Sequence, residues 1–107
     1  MKILTNYVHL LNQKKAADLA NLFAEDCVFL DKAPRLIVGG DVCIQGRESV
    51  QSFFKQLFME HAVAAELLVD MGDRALYNVT LDRTLLRCCC LIRKYQDKIQ
   101  SMEISLR

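Results

Sequence analysis

The chain has 107 residues, a formal net charge of +1 and 52% hydrophobic residues. This length suits one domain with a single core, so we expect a single domain over residues 1–107. The near-neutral charge provides no basic surface for nucleic acid or an anionic membrane, and the hydrophobic content excludes a disordered chain.

The N-terminus and the cysteines indicate the cellular compartment. No apolar run approaches the roughly 20 residues that are needed to span a bilayer. The amphipathic N-terminus also differs from the apolar core of a signal peptide. The cysteines number five, which is odd, and no secretion signal accompanies them. They therefore favour a reducing compartment, and we expect a cytoplasmic protein.

Apolar residues at helical spacing predict three helices. The first runs from about Lys2 to Asn12, and a shorter second one from about Lys15 to Phe23. The third begins at Gly46 and has the clearest amphipathic pattern in the chain. Its apolar stripe consists of Val50, Phe53, Phe54, Leu57 and Phe58.

The predicted strands begin between the second and third helices. A strand from Cys27 to Leu30 ends at Asp31. A small hairpin follows, in which Leu36–Val38 and Val42–Ile44 flank Gly39-Gly40-Asp41, because glycine supplies the positive φ of a tight turn.

The sequence after about His61 alternates between two faces. Turns at Gly72-Asp73, at Asp82 to Thr84 and at Gln96-Asp97-Lys98 divide it into four strands. Short turns join consecutive strands as an antiparallel meander, so we expect an α+β domain. Both faces of the meander are apolar. The helices cover one face, and we expect a second copy of the chain to cover the other, giving a homodimer through the sheet face.

Three segments resemble a known family. The run FAEDCVFLD, followed by IQGRESVQSFFKQLF, is similar to a pattern of ketosteroid isomerases and SnoaL-like proteins. In that pattern an acidic dipeptide, a strand, an acid and a loop precede Gly-Arg-Glu and an amphipathic helix. The segment KIQSMEISL resembles the last strand of the same families. The resemblance implies the nuclear transport factor 2-like fold, a cone-shaped, curved antiparallel sheet packed against three helices.

The resemblance also implies a site. Tyr7 and Asp31 match the tyrosine and the acid that face each other in the pocket of ketosteroid isomerases. Asp31 would then be a general base that takes a proton α to a ketone, and Tyr7 would hydrogen-bond the dienolate oxygen. A protonated aspartate is the second oxyanion donor in that family. Here Cys90, or a neighbour within Cys88 to Cys90, takes its place, and a thiol is a weak donor.

Each candidate residue also has a structural interpretation. Asp31 could begin an exposed turn, and Tyr7 could be a core residue with its hydroxyl at the surface. We expect Phe54, Phe58 and Cys90 to contact a ligand, although ordinary core packing explains the phenylalanines equally well. The contiguous cysteines Cys88 to Cys90 point alternately to opposite faces of a strand, so we expect no metal site, and nothing suggests a cofactor.

Two functions of different classes remain open. The first is a pocket that binds an apolar, carbonyl-bearing small molecule without catalysis, and Asp31 is then structural. The second is an isomerase or polyketide cyclase-like enzyme that transfers a proton with Asp31 as the base and Tyr7 as the oxyanion donor. The enzyme requires a cavity in which the two side chains meet, whereas the binding protein uses the same cavity, or only the sheet face, to hold an apolar ligand or a partner.

Overall fold

A computed structural model describes residues 2–32 and 40–107, and within these ranges it contains three helices and six strands. The helices are α1 (Ile3–Asn12), α2 (Ala16–Ala20) and α3 (Arg47–Glu60). The strands are β1 (Phe23–Asp31), β2 (Val42–Gln45), β3 (Val63–Asp70), β4 (Arg74–Leu81), β5 (Thr84–Gln96) and β6 (Lys98–Leu106). No helix among these residues is long and apolar enough to cross a membrane.

The six strands form one sheet in the order β2-β1-β6-β5-β4-β3. Strands β3 to β6 are the predicted antiparallel meander. Strand β1 joins it by parallel pairing with β6, and β2 pairs antiparallel with β1. The predicted α+β architecture is therefore confirmed, with one parallel pair in an otherwise antiparallel sheet. The predicted hairpin strand Leu36–Val38 lies outside the described residues.

The boundary between α2 and β1 differs from the prediction. Helix α2 ends at Ala20, and Phe23, where the sequence pattern predicts the end of this helix, begins β1. The reason is tertiary packing. Phe23 is fully buried, pairs with Ile99 of β6, and packs edge-on against Phe29 with their ring centroids 5.7 Å apart. Burial of a large aromatic ring in the sheet outweighs the weak helical preference of a short segment.

The start of α3 is fixed to β1 by backbone geometry. The Gly46 N–H donates to the Cys27 carbonyl oxygen at 2.8 Å, and the Arg47 Nε donates to the Phe23 carbonyl oxygen at the same distance. Gly46 has φ of 93°, a conformation that side chains rarely adopt, so glycine suits this position. Helix α3 consequently lies across the sheet with Val50 and Phe54 buried against it.

The N-terminus of α1 is capped by a residue far away in sequence. Asp70, the last residue of β3, accepts hydrogen bonds through Oδ2 from the Thr5 N–H at 3.0 Å and from the Thr5 hydroxyl at 2.6 Å. Its Oδ1 accepts the Gly72 N–H at 2.8 Å. Partial burial raises the pKa of Asp70, but these hydrogen bonds outweigh it and lower the pKa below its ordinary value. This contact anchors α1 to the edge of the sheet.

We expect Asp70→Ala to lower the free energy of unfolding by about 1 kcal/mol at pH 7, the usual cost of losing a helix cap. Because the folded pKa of Asp70 is depressed, its contribution is full above the unfolded value of about 3.9 and is lost as pH falls through the folded value. Urea denaturation between neutral and acidic pH measures the difference. Asp73→Ala, at an exposed aspartate of the same turn, is the control. An equal cost for both variants would contradict the capping role.

Candidate functional site

A cavity lies between the inner face of the sheet and the two helices α1 and α3. Its free volume is about 40 Å³. Since a volume of roughly 10–15 Å³ on this measure admits one water molecule, there is room for about three. The lining is mostly apolar, and its polar groups come from Tyr7, Asp31, Tyr77 and Cys88. Each of these polar side chains belongs to a different element of the fold.

Asp31 reaches the cavity because of the alternation along β1. Cys27, Phe29 and Asp31 share one face of the strand, and the first two are fully buried in the core. Asp31 lies beside Ile104 of β6, another residue of the lining, and is itself half-buried. The carboxylate therefore stands at the end of a core row, on the side that faces the helices.

Tyr7 enters the cavity from α1. Its side chain is 2% exposed and packs edge-on against Phe54 and Tyr77, at centroid distances of 6.3 and 6.2 Å. Burial, and secondly the charge of Asp31, raise the pKa of Tyr7 well above its ordinary value. Its hydroxyl therefore keeps its proton at physiological pH, so Tyr7 serves as a hydrogen-bond donor and not as a base.

Tyr77 is the polar lining residue that the sequence interpretation did not single out. It lies on β4 directly opposite Cys88, is 1% exposed, and packs edge-on against Tyr7. Burial raises its pKa, and the neighbouring Tyr7 and the thiols raise it further. In the sequence, the alternation along β4 puts Tyr77 on the same face as Ala75 and Val79. This alternation is the signal that could have identified Tyr77 as a lining residue.

The cysteines divide between the cavity and the core. Cys88 lines the cavity, whereas Cys90, the predicted ligand contact, is fully buried two residues further along and is not among the lining residues. Burial raises the pKa of each thiol to about 12, and the charge of Asp31 adds to the shift at Cys88. A thiol with such a pKa stays protonated, so Cys88 offers the cavity a weak donor and not a nucleophile.

Helix α3 covers the cavity with phenylalanines. Phe53 and Phe54 line it, with their ring centroids 5.2 Å apart. Phe58, the other predicted ligand contact on this helix, stacks on the far side of Phe54 at 5.9 Å and is not a lining residue. Of the five residues that we predicted at the site, the cavity brings together Tyr7, Asp31 and Phe54.

No group of three or more histidine, cysteine, aspartate or glutamate side chains in the described parts of the chain could hold a metal ion. The chemistry available to the cavity is thus that of one carboxylate, two phenol hydroxyls and a thiol. Together these groups can donate hydrogen bonds to an oxygen atom and exchange a proton with a carboxylate, inside a largely apolar space.

Solved structures with this architecture are numerous. A hypothetical protein from Catenulispora acidiphila, described as having a ketosteroid isomerase-like fold and crystallised in complex with trimethylamine, superposes with a TM-score of 0.74. It is 19% identical, and the match covers 96% of this chain and 83% of that one. A nuclear transport factor 2-like protein of unknown function from Mesorhizobium loti gives a TM-score of 0.73 at 18% identity, covering 98% and 88%.

A third structure, a nuclear transport factor 2-like protein of unknown function from Cytophaga hutchinsonii, gives a TM-score of 0.70 at 11% identity, with coverage of 98% and 87%. A search of curated proteins found no match. At these identities the structures establish the fold alone: the protein has the nuclear transport factor 2-like fold. Residues 4–102 match the model of the SnoaL-like domain, and the chain belongs to this family.

Proposed function

We propose that the protein binds a small, largely apolar molecule carrying a carbonyl oxygen, and that the cavity between α1, α3 and the sheet is its binding site. The observation that carries the proposal is that Tyr7 and Asp31, from distant parts of the chain, line one cavity whose walls are mostly apolar. An apolar pocket with a few convergent polar groups is the usual form of a small-molecule site.

The polar groups favour an acceptor oxygen in the ligand. The hydroxyls of Tyr7 and Tyr77 are held in the protonated form by burial, so they act as donors. A carbonyl oxygen accepts such a bond without introducing a charge into an apolar space. Burying a carbonyl without a partner is costly, so a directed hydroxyl also selects carbonyl compounds over hydrocarbons of the same shape.

The size of the cavity limits the ligand. With about 40 Å³ of free space, a compound of about three non-hydrogen atoms fits as the walls stand, whereas a cyclic ketone, and still more a steroid, requires Phe53 and Leu57 of α3 to move outward. Both side chains are only half-buried, so this wall is the more adjustable one. Small ligands gain at most about 1.5 kcal/mol per non-hydrogen atom, so we expect weak binding that NMR titration can follow.

Cyclopentanone labelled with ¹³C at the carbonyl is the probe that tests binding. We expect its carbonyl resonance to move downfield on binding, and Tyr7→Phe to weaken binding about threefold to tenfold because one neutral hydrogen bond is lost. Cyclopentane and trimethylamine, the compound found with the Catenulispora protein, are titrated in parallel. Tighter binding of either compound than of cyclopentanone would contradict the proposal that the ligand carries a carbonyl. Tyr95→Phe, at an exposed tyrosine, is the control variant.

The alternative function is an isomerase or cyclase in which Asp31 removes a proton α to the carbonyl and Tyr7 donates to the oxyanion. The shared cavity of the two residues favours it. Efficient catalysis is doubtful on one ground: the second oxyanion donor would be the Cys88 thiol, which is a weak donor. Losing one oxyanion donor costs about 3 kcal/mol, or roughly 10²–10³ in rate.

Cyclohex-3-en-1-one tests the alternative, because its isomerisation to the conjugated enone is followed by ultraviolet absorbance. If the protein is such an enzyme, Asp31→Asn lowers the rate by about 10²–10⁴, the usual contribution of a general base. Glu25→Gln, at an exposed carboxylate of the same strand, should leave the rate unchanged. A wild-type rate equal to that of buffer would rule this chemistry out for small enones and leave the binding function.

We also propose that the protein is a homodimer through the sheet face turned away from the helices. A cross-strand row on this face contains Val69, Leu76 and Cys89, all of them at least partly exposed. Arg87 and Glu66 flank the row on the same face, and a twofold axis can bring such opposite charges together.

We expect sedimentation equilibrium to give the mass of a dimer for the wild type and of a monomer for Leu76→Lys, since an unpaired charge would be buried at the interface. Met59→Lys, on the outer surface of α3 where Met59 is 77% exposed, should remain a dimer. A monomeric wild-type protein at micromolar concentration would refute the dimer.

A further inference from the structure

Helix α3 is the wall of the cavity that has to yield to a larger ligand, and it is attached to the sheet at both ends. Its first turn is held by the hydrogen bonds of Gly46 and Arg47 to carbonyl oxygens of β1. Between the ends, Phe53, Phe54 and Leu57 lie over the cavity. Because a cavity and not packed core lies beneath these side chains, fewer dispersion contacts resist an outward movement there. The attachment of the last turn therefore decides how far the wall can yield.

Asp82 makes that attachment. It lies in the turn between β4 and β5. Its Oδ2 lies 2.7 Å from Nδ1 of His61, the residue directly after α3, and its Oδ1 accepts the N–H of Ala62 at 2.9 Å. These hydrogen bonds lower the pKa of Asp82, so the carboxylate is charged at physiological pH and is a strong acceptor. One side chain of the sheet thus holds the end of the helix.

The same contact joins the two walls at one end of the cavity. The His61 N–H donates to the carbonyl oxygen of Leu57 at 3.0 Å, so a movement of His61 carries the lining residue Leu57 with it. Leu81, directly before Asp82, and Leu86 of β5 line the cavity from the sheet. The contact between His61 and Asp82 therefore bridges the helix wall and the sheet wall.

The hairpin itself does not require this carboxylate. The Asp82 N–H donates to the Ala62 carbonyl oxygen at 2.8 Å, which continues the pairing of β3 with β4 through backbone atoms alone. The turn needs a residue that tolerates the φ of 56° at position 82, and glycine or asparagine would meet that need. The carboxylate is thus the part of Asp82 that the turn does not use, and it is the part that reaches His61.

We propose that Asp82 is a positioning residue that latches the last turn of α3 to the sheet and thereby limits the size of the ligand that the cavity admits. The inference rests on the proposed function and deepens it, because a ligand of more than about three non-hydrogen atoms enters only when Phe53 and Leu57 move outward. With the latch closed, small carbonyl compounds are favoured over larger ones. Without it, Leu57 yields and this preference weakens.

The latch can be measured without a ligand. Asp82→Gly removes the carboxylate and keeps the turn, since glycine adopts a positive φ without strain. We expect the His61 amide, which is bonded to Leu57 and not to Asp82, to exchange with solvent about threefold to tenfold faster in this variant. Asp97→Gly, at a φ of 61° in the turn between β5 and β6, is the matched control and should leave this exchange unchanged. Equal exchange in Asp82→Gly and the wild type would overturn the inference.

Ligand size is the property that a merely structural role for Asp82 would leave unmoved. Acetone nearly fits the free space as the walls stand, whereas cyclopentanone requires the α3 wall to move. In Asp82→Gly, we expect the dissociation constant of cyclopentanone to fall relative to that of acetone by about threefold to tenfold, because the larger ketone no longer breaks the latch to enter. NMR titration of both ketones, labelled with ¹³C at the carbonyl, gives the ratio of the two constants. An unchanged ratio, or the same change in Asp97→Gly, would overturn the inference.

The two measurements separate the inference from the function beneath it. If the wild type and Asp82→Gly bind neither ketone, the proposed function is lost, and the exchange of the His61 amide alone decides whether Asp82 latches α3. If Asp82→Gly does not fold, His61→Phe supplies the decision, because it removes the contact with Oδ2 and leaves the turn and the Ala62 contact in place. We then expect the ratio of the two dissociation constants to change in the same direction, and an unchanged ratio would overturn the inference.

Discussion

One sheet register places the three polar cavity residues of the sheet, Asp31, Tyr77 and Cys88, on the side that the helices cover. The parallel pairing of β1 with β6 sets Asp31 beside Ile104, and the antiparallel pairing of β4 with β5 sets Tyr77 beside Cys88. Because side chains alternate with a period of two, a slip of one residue in β1 would turn Asp31 to the outer face. Two contacts of Lys32, directly after β1, oppose such a slip. Its N–H donates to the Ile104 carbonyl oxygen at 2.9 Å, and its Nζ forms a salt bridge with the Glu103 carboxylate at 2.9 Å.

The cavity combines two opposing demands on the same side chains. Tyr7 and Tyr77 belong to the aromatic core, where edge-on contacts with Phe54 and with each other contribute about 0.5–1.5 kcal/mol per pair beyond area burial. Their hydroxyls oppose this gain, because a buried hydroxyl without a partner costs about 1–3 kcal/mol. A pair of phenylalanines would carry no such cost, so the hydroxyls add polarity to the cavity and not stability to the core.

Local patterns predicted the elements well, and the contacts between distant elements poorly. The stripe of α3 and the alternation of β4 are properties of single segments, so the sequence located Phe54 and grouped Tyr77 with its neighbours on one face, without showing which face is turned to the helices. The meeting of Tyr7 with Tyr77 joins a helix to a strand 70 positions later, and no local pattern encodes it. For the position of the second donor, the sequence allowed Cys90 or a neighbour within Cys88 to Cys90, and of these Cys88 lines the cavity. Register shifts between Ile92 and Tyr95 keep the position along β5 from deciding among them.

The small cavity constrains the chemistry more strongly than the identity of its polar groups does. A carboxylate beside a phenol suits proton transfer in any carbonyl compound, but only a compound that enters the cavity can react. The phenylalanines of α3 leave about 40 Å³, and they also hold this helix on the sheet. Enlarging the space by shortening Phe54 would remove the centre of the aromatic cluster and destabilise the fold by about 3–5 kcal/mol. Phe53 is half-buried at the edge of the same cluster, so the wall can yield there at a lower cost. The free volume of this cavity is therefore set at its edge by Phe53, while the buried residues beneath it hold Tyr7 and Asp31 in place.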